Sequence, residues 1–381
     1  MKVVFLECTQ NFGYSYSANN SKMRYVSKGL INSECEAIIH NGILGCPSVP
    51  RDEEIITSEN IRVITYTRRK DASMLSIVLN AIKLVRYFKS NRVRKGEGVV
   101  LLTRSWFPLY VFYSIIPRFF GYKIATISHE WATVPLSGNM VKDVLSRIYA
   151  YSFGWFCDAI LPISEEIIRR IQKFNKPYLK LPILADFHSD VSPCSQQSSA
   201  FVYCASVEYK RVICMIIEAY RIYNQEGGSI PLRLIINGKK DKIDEIRSVI
   251  VSFDLEKYVD ILSKLTDEEL MIEYSNAAAL LIPLDPNFEQ DTVRFSQKIA
   301  EYLTTRKPVL TNNVGEIVHY FTENEAIICE YSVESFARAM SWVQQNGEQA
   351  RLIGENGYMM GCREFDYRVN GRKLKSFFSC V

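Results

Sequence analysis

Short runs of apolar residues recur along the chain at intervals filled by amphipathic stretches. This alternation limits the fold more than any other feature. Segments 2–7, 35–40, 61–66, 98–102 and 123–128 are each too short for a helix, and most are β-branched on both faces. Between them lie helical patterns at 22–30, 74–88 and 141–155. The segment 158–164 reads as a strand running into a helix N-cap at Ser164. A Ser/Gln/Pro-rich stretch at 189–200 interrupts the pattern, and the alternation then restarts. Strands are predicted at 201–205, 232–237, 259–262 and 278–283, with helices at 212–223, 243–253, 266–275, 333–346 and 348–365. Strands alternating with helices imply parallel sheets joined by right-handed crossovers. The expected fold is α/β, with two Rossmann-like domains at 1–190 and 200–365 and a tail, 366–381, returning to the first.

The second domain holds the most informative stretch, 294–316. Ser296 is a helix N-cap candidate, Ile299 and Leu303 share an apolar face, and Pro308 ends the helix before the strand Val309-Leu310. A helix N-terminus offers free N–H groups and a positive dipole end to an anion. Arg294 and Lys298 put cations beside it, and Glu301 lies one turn deeper, where a carboxylate can accept hydrogen bonds from sugar hydroxyls. Read alone, Lys298 and Glu301 are equally an i,i+3 ion pair on a solvated face.

The spacing Arg294, Lys298, Glu301-Tyr302-Leu303, Lys307-Pro308-Val309 and Gly315-Glu316 resembles the donor-binding segment of retaining GT-B glycosyltransferases of family 4, or group 1. The resemblance implies two Rossmann-like domains facing a cleft, with Glu301 on the ribose of a nucleotide-sugar. Relatives carry a second glutamate eight residues earlier; here that position is Val293, with Glu289 and Asp291 as nearby carboxylates. His129, at the end of strand 123–128, is implied on the donor sugar near the reacting carbon, with Glu130 on the acceptor side. Lys210 or Arg211 can serve as the later of the two diphosphate-binding cations of relatives; Ala205 and Ser206 occupy the place of the earlier one. Gly13 falls in the loop that approaches the diphosphate, Gly238 follows the strand 232–237, and Leu265 opens a loop bordering the base. Thr266 and Glu269 also form a plain capping-box pattern. The implied reaction is attack of an acceptor hydroxyl of a glycan or lipid-linked acceptor on the anomeric carbon, with retention, in surface polysaccharide synthesis. Two rivals are a GT-B sugar-nucleotide epimerase and a non-catalytic nucleotide-sugar-binding partner.

Charge and cysteine spacing narrow the classes further. Residues 1–190 carry a net charge of +9 and residues 191–381 a net of −5; within 62–123 there are 13 basic and 2 acidic residues. Cations interleaved with aromatic rings there suit peripheral contact with an anionic membrane. No nucleic-acid recognition pattern accompanies them, so no nucleic acid is expected as partner. The ten cysteines include no C-x-x-C and the four histidines have no metal-ligand spacing. No metal or other cofactor is expected; the resemblance implies that Lys/Arg and helix N-termini neutralise the leaving diphosphate instead, as in GT-B relatives. No apolar run reaches the roughly twenty residues that span a bilayer. The expected location is cytoplasmic, at the inner face of the cell membrane.

Overall fold

The computed structural model describes residues 1–8, 12–13, 18–46, 48–68, 74–103, 106–131, 140–189 and 199–381. The interdomain stretch read at 189–200 therefore lies largely outside the described residues, as does most of the loop 9–17. The chain divides into two compact units. The first comprises Met1–Ala185, Val293–Gln297 and Glu364–Val381; the second comprises Asp186–Thr292 and Lys298–Arg363.

In order, the first unit contains β1 (Lys2–Leu6), α1 (Ala18–Asn32), β2 (Glu36–His40), β3 (Glu53–Ile56), β4 (Arg62–Thr65), α2 (Met74–Ser90), β5 (Gly98–Leu102), α3 (Phe107–Ile115), β6 (Lys123–Ser128), α4 (Met140–Ser152), β7 (Ala159–Pro162) and α5 (Glu165–Ile171). Among the described residues its sheet has the order β3-β4-β2-β1-β5-β6-β7. All pairings are parallel except β3 with β4. That edge strand alternates half-buried and exposed residues, as an antiparallel strand with one wet face does. Chain order reverses between β1 and β5, which makes their carboxyl ends a topological switch point.

The second unit contains β8 (Ala200–Ser206), α6 (Lys210–Gln225), β9 (Leu232–Asn237), α7 (Lys240–Ser252), β10 (Val259–Leu262), α8 (Asp267–Ser275), β11 (Ala277–Ile282), α9 (Glu289–Val293), α10 (Gln297–Thr304), β12 (Val309–Thr311), α11 (Ile317–Tyr320), β13 (Ile327–Ile328), α12 (Val333–Gln345) and α13 (Gly347–Glu364). Its sheet is parallel throughout, in the order β10-β9-β8-β11-β12-β13, with its switch point between β8 and β11. The core follows from the sequence. β8 is apolar on both faces because helices cover both, and α6 turns Ile213, Ile216, Ile217 and Tyr220 onto it. Removing the Ile216 side chain to Cβ would cost about 2–5 kcal/mol.

The last helix, α14 (Tyr367–Cys380), packs on α1 within the first unit. The approach needs glycine on both helices. A Cβ on Gly29 would lie 2.4 Å from the Tyr367 carbonyl oxygen, and one on Gly371 would lie 2.1 Å from the Gly29 carbonyl oxygen. Asp366 caps α14 by accepting the Arg368 N–H at 2.8 Å. The expected second domain, 200–365, gives up residues 293–297 and 364–365 to the first unit. The cause is local: Gln297 Nε2 donates to the Leu184 carbonyl at 2.5 Å, and the Phe295 and Phe365 rings meet edge-on at 5.4 Å.

Candidate functional site

In the second unit the carboxyl ends of β8, β9 and β11 gather most of the residues singled out in the sequence. α10 is fixed beneath them by Tyr302, which is fully buried. Its hydroxyl accepts the Cys204 N–H of β8 at 3.3 Å, and its ring meets Tyr274 edge-on at 4.8 Å. One residue earlier on the helix, Glu301 is half-buried. Burial pushes its carboxyl up to about 7; nearby Lys298 opposes the rise and Asp267 adds to it. Lys298 and the start of α8 are therefore within electrostatic reach of Glu301. Both Lys298 and Glu301 are half-buried.

The neighbouring loops are held by hydrogen bonds. The Lys264 N–H donates to Asn237 Oδ1 at 2.8 Å, tying the segment before Leu265 to the end of β9. Thr266 and Glu269 form a full capping box on α8. Gly238 is a packing glycine: a Cβ there would lie 2.1 Å from Val207 Cγ1. Gly315 has a positive φ of 59°, and a Cβ would lie 2.6 Å from the Asp291 carbonyl oxygen. The pattern Gly315-Glu316 is thereby a backbone requirement of this turn.

The two cations after β8 have local partners. Lys210 Nζ reaches Glu245 Oε2 at 2.7 Å on the surface. Arg211, mostly exposed, pairs with Asp285, which is only 1% exposed. Asp285 also accepts the Asn287 N–H at 2.9 Å, and its own N–H donates to Asp291 Oδ2 at 3.0 Å. Among the described residues no hydrogen bond or ion pair joins Lys210 or Arg211 to Lys298 or Glu301. Of the carboxylates near Val293, Asp291 is buried in this loop network and Glu289 is exposed; Val293 itself is buried.

The first unit holds Gly13, His129, Glu130 and, by its contacts, Arg294. Gly13 has a φ of 90° and lies exposed. Its neighbour Phe12 is pinned through its N–H to Asn41 Oδ1 at 2.9 Å. His129 follows β6 directly and is held neutral: burial, with the Lys22 charge beside it, lowers its pKa to about 3. Its Nδ1 is buried without a hydrogen-bond partner. Glu130 is exposed.

Two further groups at this end escaped the sequence reading. Lys22 on α1 is buried without a partner for Nζ, and burial lowers it to about 7. Glu7, at the β1 switch point with a φ of 54°, is raised to about 7 by burial, with a side-chain hydrogen bond from Tyr113 opposing. Lys22 had a signal, because it stands four residues before Val26 and eight before Leu30, on the apolar stripe of α1. Among the described residues no group of three or more His, Cys, Asp or Glu could hold a metal ion.

Comparison with known proteins defines the class. The chain superposes over 99% of its length on 98% of a sucrose-phosphate synthase from Thermosynechococcus elongatus, with a TM-score of 0.73 and 12% identity. It superposes with the same score and identity on a glycosyltransferase from Rickettsia africae, covering 99% of this chain and 97% of that one. An Anabaena protein solved with UDP and glucose is covered fully, and covers this chain fully, at a TM-score of 0.70 and 12% identity. The α/β fold with its two doubly wound units is thus the GT-B fold. Within that class, residues 187–360 match the family model for glycosyl transferases group 1, and the chain resembles those enzymes. No curated protein sequence matches it.

Proposed function

We propose that the protein is a glycosyltransferase that moves a sugar from a nucleoside diphosphate donor to a hydroxyl of a glycan or lipid-linked acceptor. The observation that carries this reading is Glu301. It is a half-buried carboxylate, raised to about 7 beside Lys298, at the carboxyl ends of a parallel sheet and inside the segment that matches group 1. A carboxylate so placed gains from ribose hydroxyl donors what burial costs it. The fold likeness to an Anabaena protein solved with UDP-glucose makes UDP the first base to test.

In this reading the acceptor oxygen attacks the anomeric carbon and loses its proton as the bond to the diphosphate oxygen breaks. The diphosphate leaves with the bonding pair. Lys298 and Arg294, with the N-terminal end of α10, meet its charge, so no metal is needed. Gly13, Gly238 and Leu265 shape the donor contacts, and Lys210 and Arg211 join them on release from Glu245 and Asp285. His129, held neutral, offers a hydrogen bond to the sugar, and Glu130 takes the acceptor side. Anomeric configuration is retained. The role is surface polysaccharide synthesis at the cytoplasmic face of the cell membrane, with peripheral contact through the basic first unit.

One observation favours a second reading, a nucleotide-sugar-binding protein without turnover: Lys210 and Arg211 are both engaged and Val293 is buried. The test is transfer of labelled glucose from UDP-glucose and its congeners to membrane-extracted acceptors, run on wild type and Glu301→Gln. Transfer that the variant loses supports the enzyme. Nucleotide binding with no transfer to any acceptor supports the second reading, and no nucleotide binding removes both.

A further inference from the structure

The helix α2 is anchored by one face and bare on the other. Asn80, Leu84 and Phe88 are buried beneath it, and Asn80 Nδ2 donates to the Ile43 carbonyl at 3.1 Å. Its solvent face carries Leu75, Val78, Leu79 and Ile82 at i, i+3, i+4 and i+7, each between 43% and 61% exposed. An ordinary helix of a globular protein puts such a stripe inward and polar residues outward. Here a second apolar stripe faces water on a firmly seated helix.

The same face then turns basic. Arg86 and Lys89 continue it at i+4 and i+7 from Ile82, and both are exposed. The helix ends at Ser90, and the loop after it brings Arg92, Arg94 and Lys95 to one wall of a cavity of about 790 Å³; Arg118, Phe119 and Lys123 form the other. The two walls are locked together. The Val93 N–H donates to the Phe120 carbonyl at 3.1 Å, and Tyr122 Oη donates to the Asn91 carbonyl at 2.6 Å. Gly121, at a φ of 94°, lets the chain pass where a Cβ would lie 2.1 Å from the Val93 carbonyl oxygen. Arg118 is paired with Asp158 at 3.1 Å. Arg86, Lys89, Arg92, Arg94, Lys95 and Lys123 have no ion-pair partner among the described residues. Phe119 is 70% exposed at the rim.

We propose that this face docks the protein on an anionic lipid bilayer. The α2 stripe and Phe119 enter the headgroup–acyl boundary, and the basic loops hold lipid phosphates. The inference deepens the proposed function, on which it rests for the choice of a membrane-borne acceptor. An aliphatic stripe ending in unpaired cations is the composition that interfacial helices use. The basic cavity lies at the amino ends of β5 and β6, whereas His129 and Glu7 lie at the carboxyl ends of the same sheet. Docking and sugar chemistry are therefore separable by mutation.

The test is flotation of the full chain with vesicles of phosphatidylcholine, with and without phosphatidylglycerol, at low and physiological salt. We expect partitioning onto the anionic vesicles only, weakened by salt. Arg94→Gln with Lys95→Gln should lower it about 30-fold, at about 1 kcal/mol per basic residue near a charged surface. Leu79→Asp with Ile82→Asp should abolish it while leaving the melting temperature and the nucleotide-induced shift unchanged, since both side chains face water. The proposal is overturned if wild type ignores anionic vesicles at low salt, or if the charge variant binds as well as wild type. It is overturned equally if the apolar variant instead dissolves a dimer that binds no vesicle, or if inorganic phosphate alone occupies the basic cavity. Because binding is read without nucleotide, failure here leaves the glycosyltransferase assay untouched, and the reverse holds.

Discussion

Glu301→Gln should move stability and ligand binding in opposite directions. In the folded chain this carboxyl is raised from 4.5 to about 7 by burial. The fold thus prefers its neutral form, and the ionised form carries a penalty. At 1.36 kcal/mol per pH unit, the rise of about 2.5 units is worth at most about 3 kcal/mol. The sign follows from proton binding: between pH 4.5 and 7 the folded state holds a proton that the unfolded chain releases. Stability from this group is therefore present at low pH and lost as pH rises through 7. Glutamine is neutral at all pH and nearly isosteric. At pH 8 the unliganded variant should melt above wild type, by about 2–4 °C for each kcal/mol recovered. At pH 5 the difference should largely vanish. Binding should go the other way. Hydrogen bonds from ribose hydroxyls to a charged acceptor contribute about 1.5–3 kcal/mol, so the variant should lose about tenfold to a hundredfold in affinity for the preferred diphosphate. Wild-type affinity should also rise with pH through about 7, because the bound hydroxyls favour the carboxylate. Thermal melts at pH 5 and 8 with UDP, GDP and ADP measure all of this. A variant that melts below wild type at pH 8 and keeps its full diphosphate shift would show that Glu301 is a structural acceptor, and the donor-site argument would fail with it.

Three further outcomes follow from the geometry. Lys210→Ala should change stability by less than about 1 kcal/mol, because its pair with Glu245 is exposed on both sides. Urea melts measure that difference, and a loss above about 2 kcal/mol would refute it. His129 and His40 both fall from 6.5 to about 3 on burial, so the unfolded chain takes up protons between pH 6.5 and 3 that the folded chain refuses. Each should lower stability as pH falls through that window, and His129→Gln should melt with a flatter acid limb than wild type if the reasoning holds. Gly238→Ala should cost about 1–3 kcal/mol by driving a methyl into Val207; a neutral result in chemical denaturation would mean that the β9–α7 turn shifts freely.

Much of the fold was legible because period and length agree in an α/β chain. The strands at 98–102, 123–128, 232–237 and 259–262 fall where their apolar runs lie. The capping box Thr266–Glu269 forms as written, since it depends only on residues three apart. Edge elements were less visible. β3 and β13 are short and half-wet, so neither carries a buried run. Within the tail 366–381, Tyr367–Cys380 is a helix whose apolar face is interrupted by Gly371 for a reason that lies on α1, and by Asn370, which donates to the Glu364 and Asp366 carbonyls. The candidate site divides the same way. Glu301 and Lys298 share a helix, so their proximity could be read from spacing. The partners of Lys210 and Arg211 come from positions 245 and 285, and no local pattern announces them. Lys22 and Glu7 were hidden for a related reason: whether a charge at the end of a strand or on an apolar stripe is buried depends on what the crossover packs against it.

The seam between α1 and α14 has a consequence for how the protein is made. Every strand of the first sheet has been synthesised by residue 162, yet the helix that seals α1 is not made until residues 367–380. The second unit can close while the first still lacks its last layer. Until then the glycine-lined groove of α1, with Met23, Val26 and Leu30 beneath it, waits open on a nascent chain. A chain cut just before residue 367 would have a complete second unit and a first unit unsealed along α1, a natural substrate for chaperones and proteases.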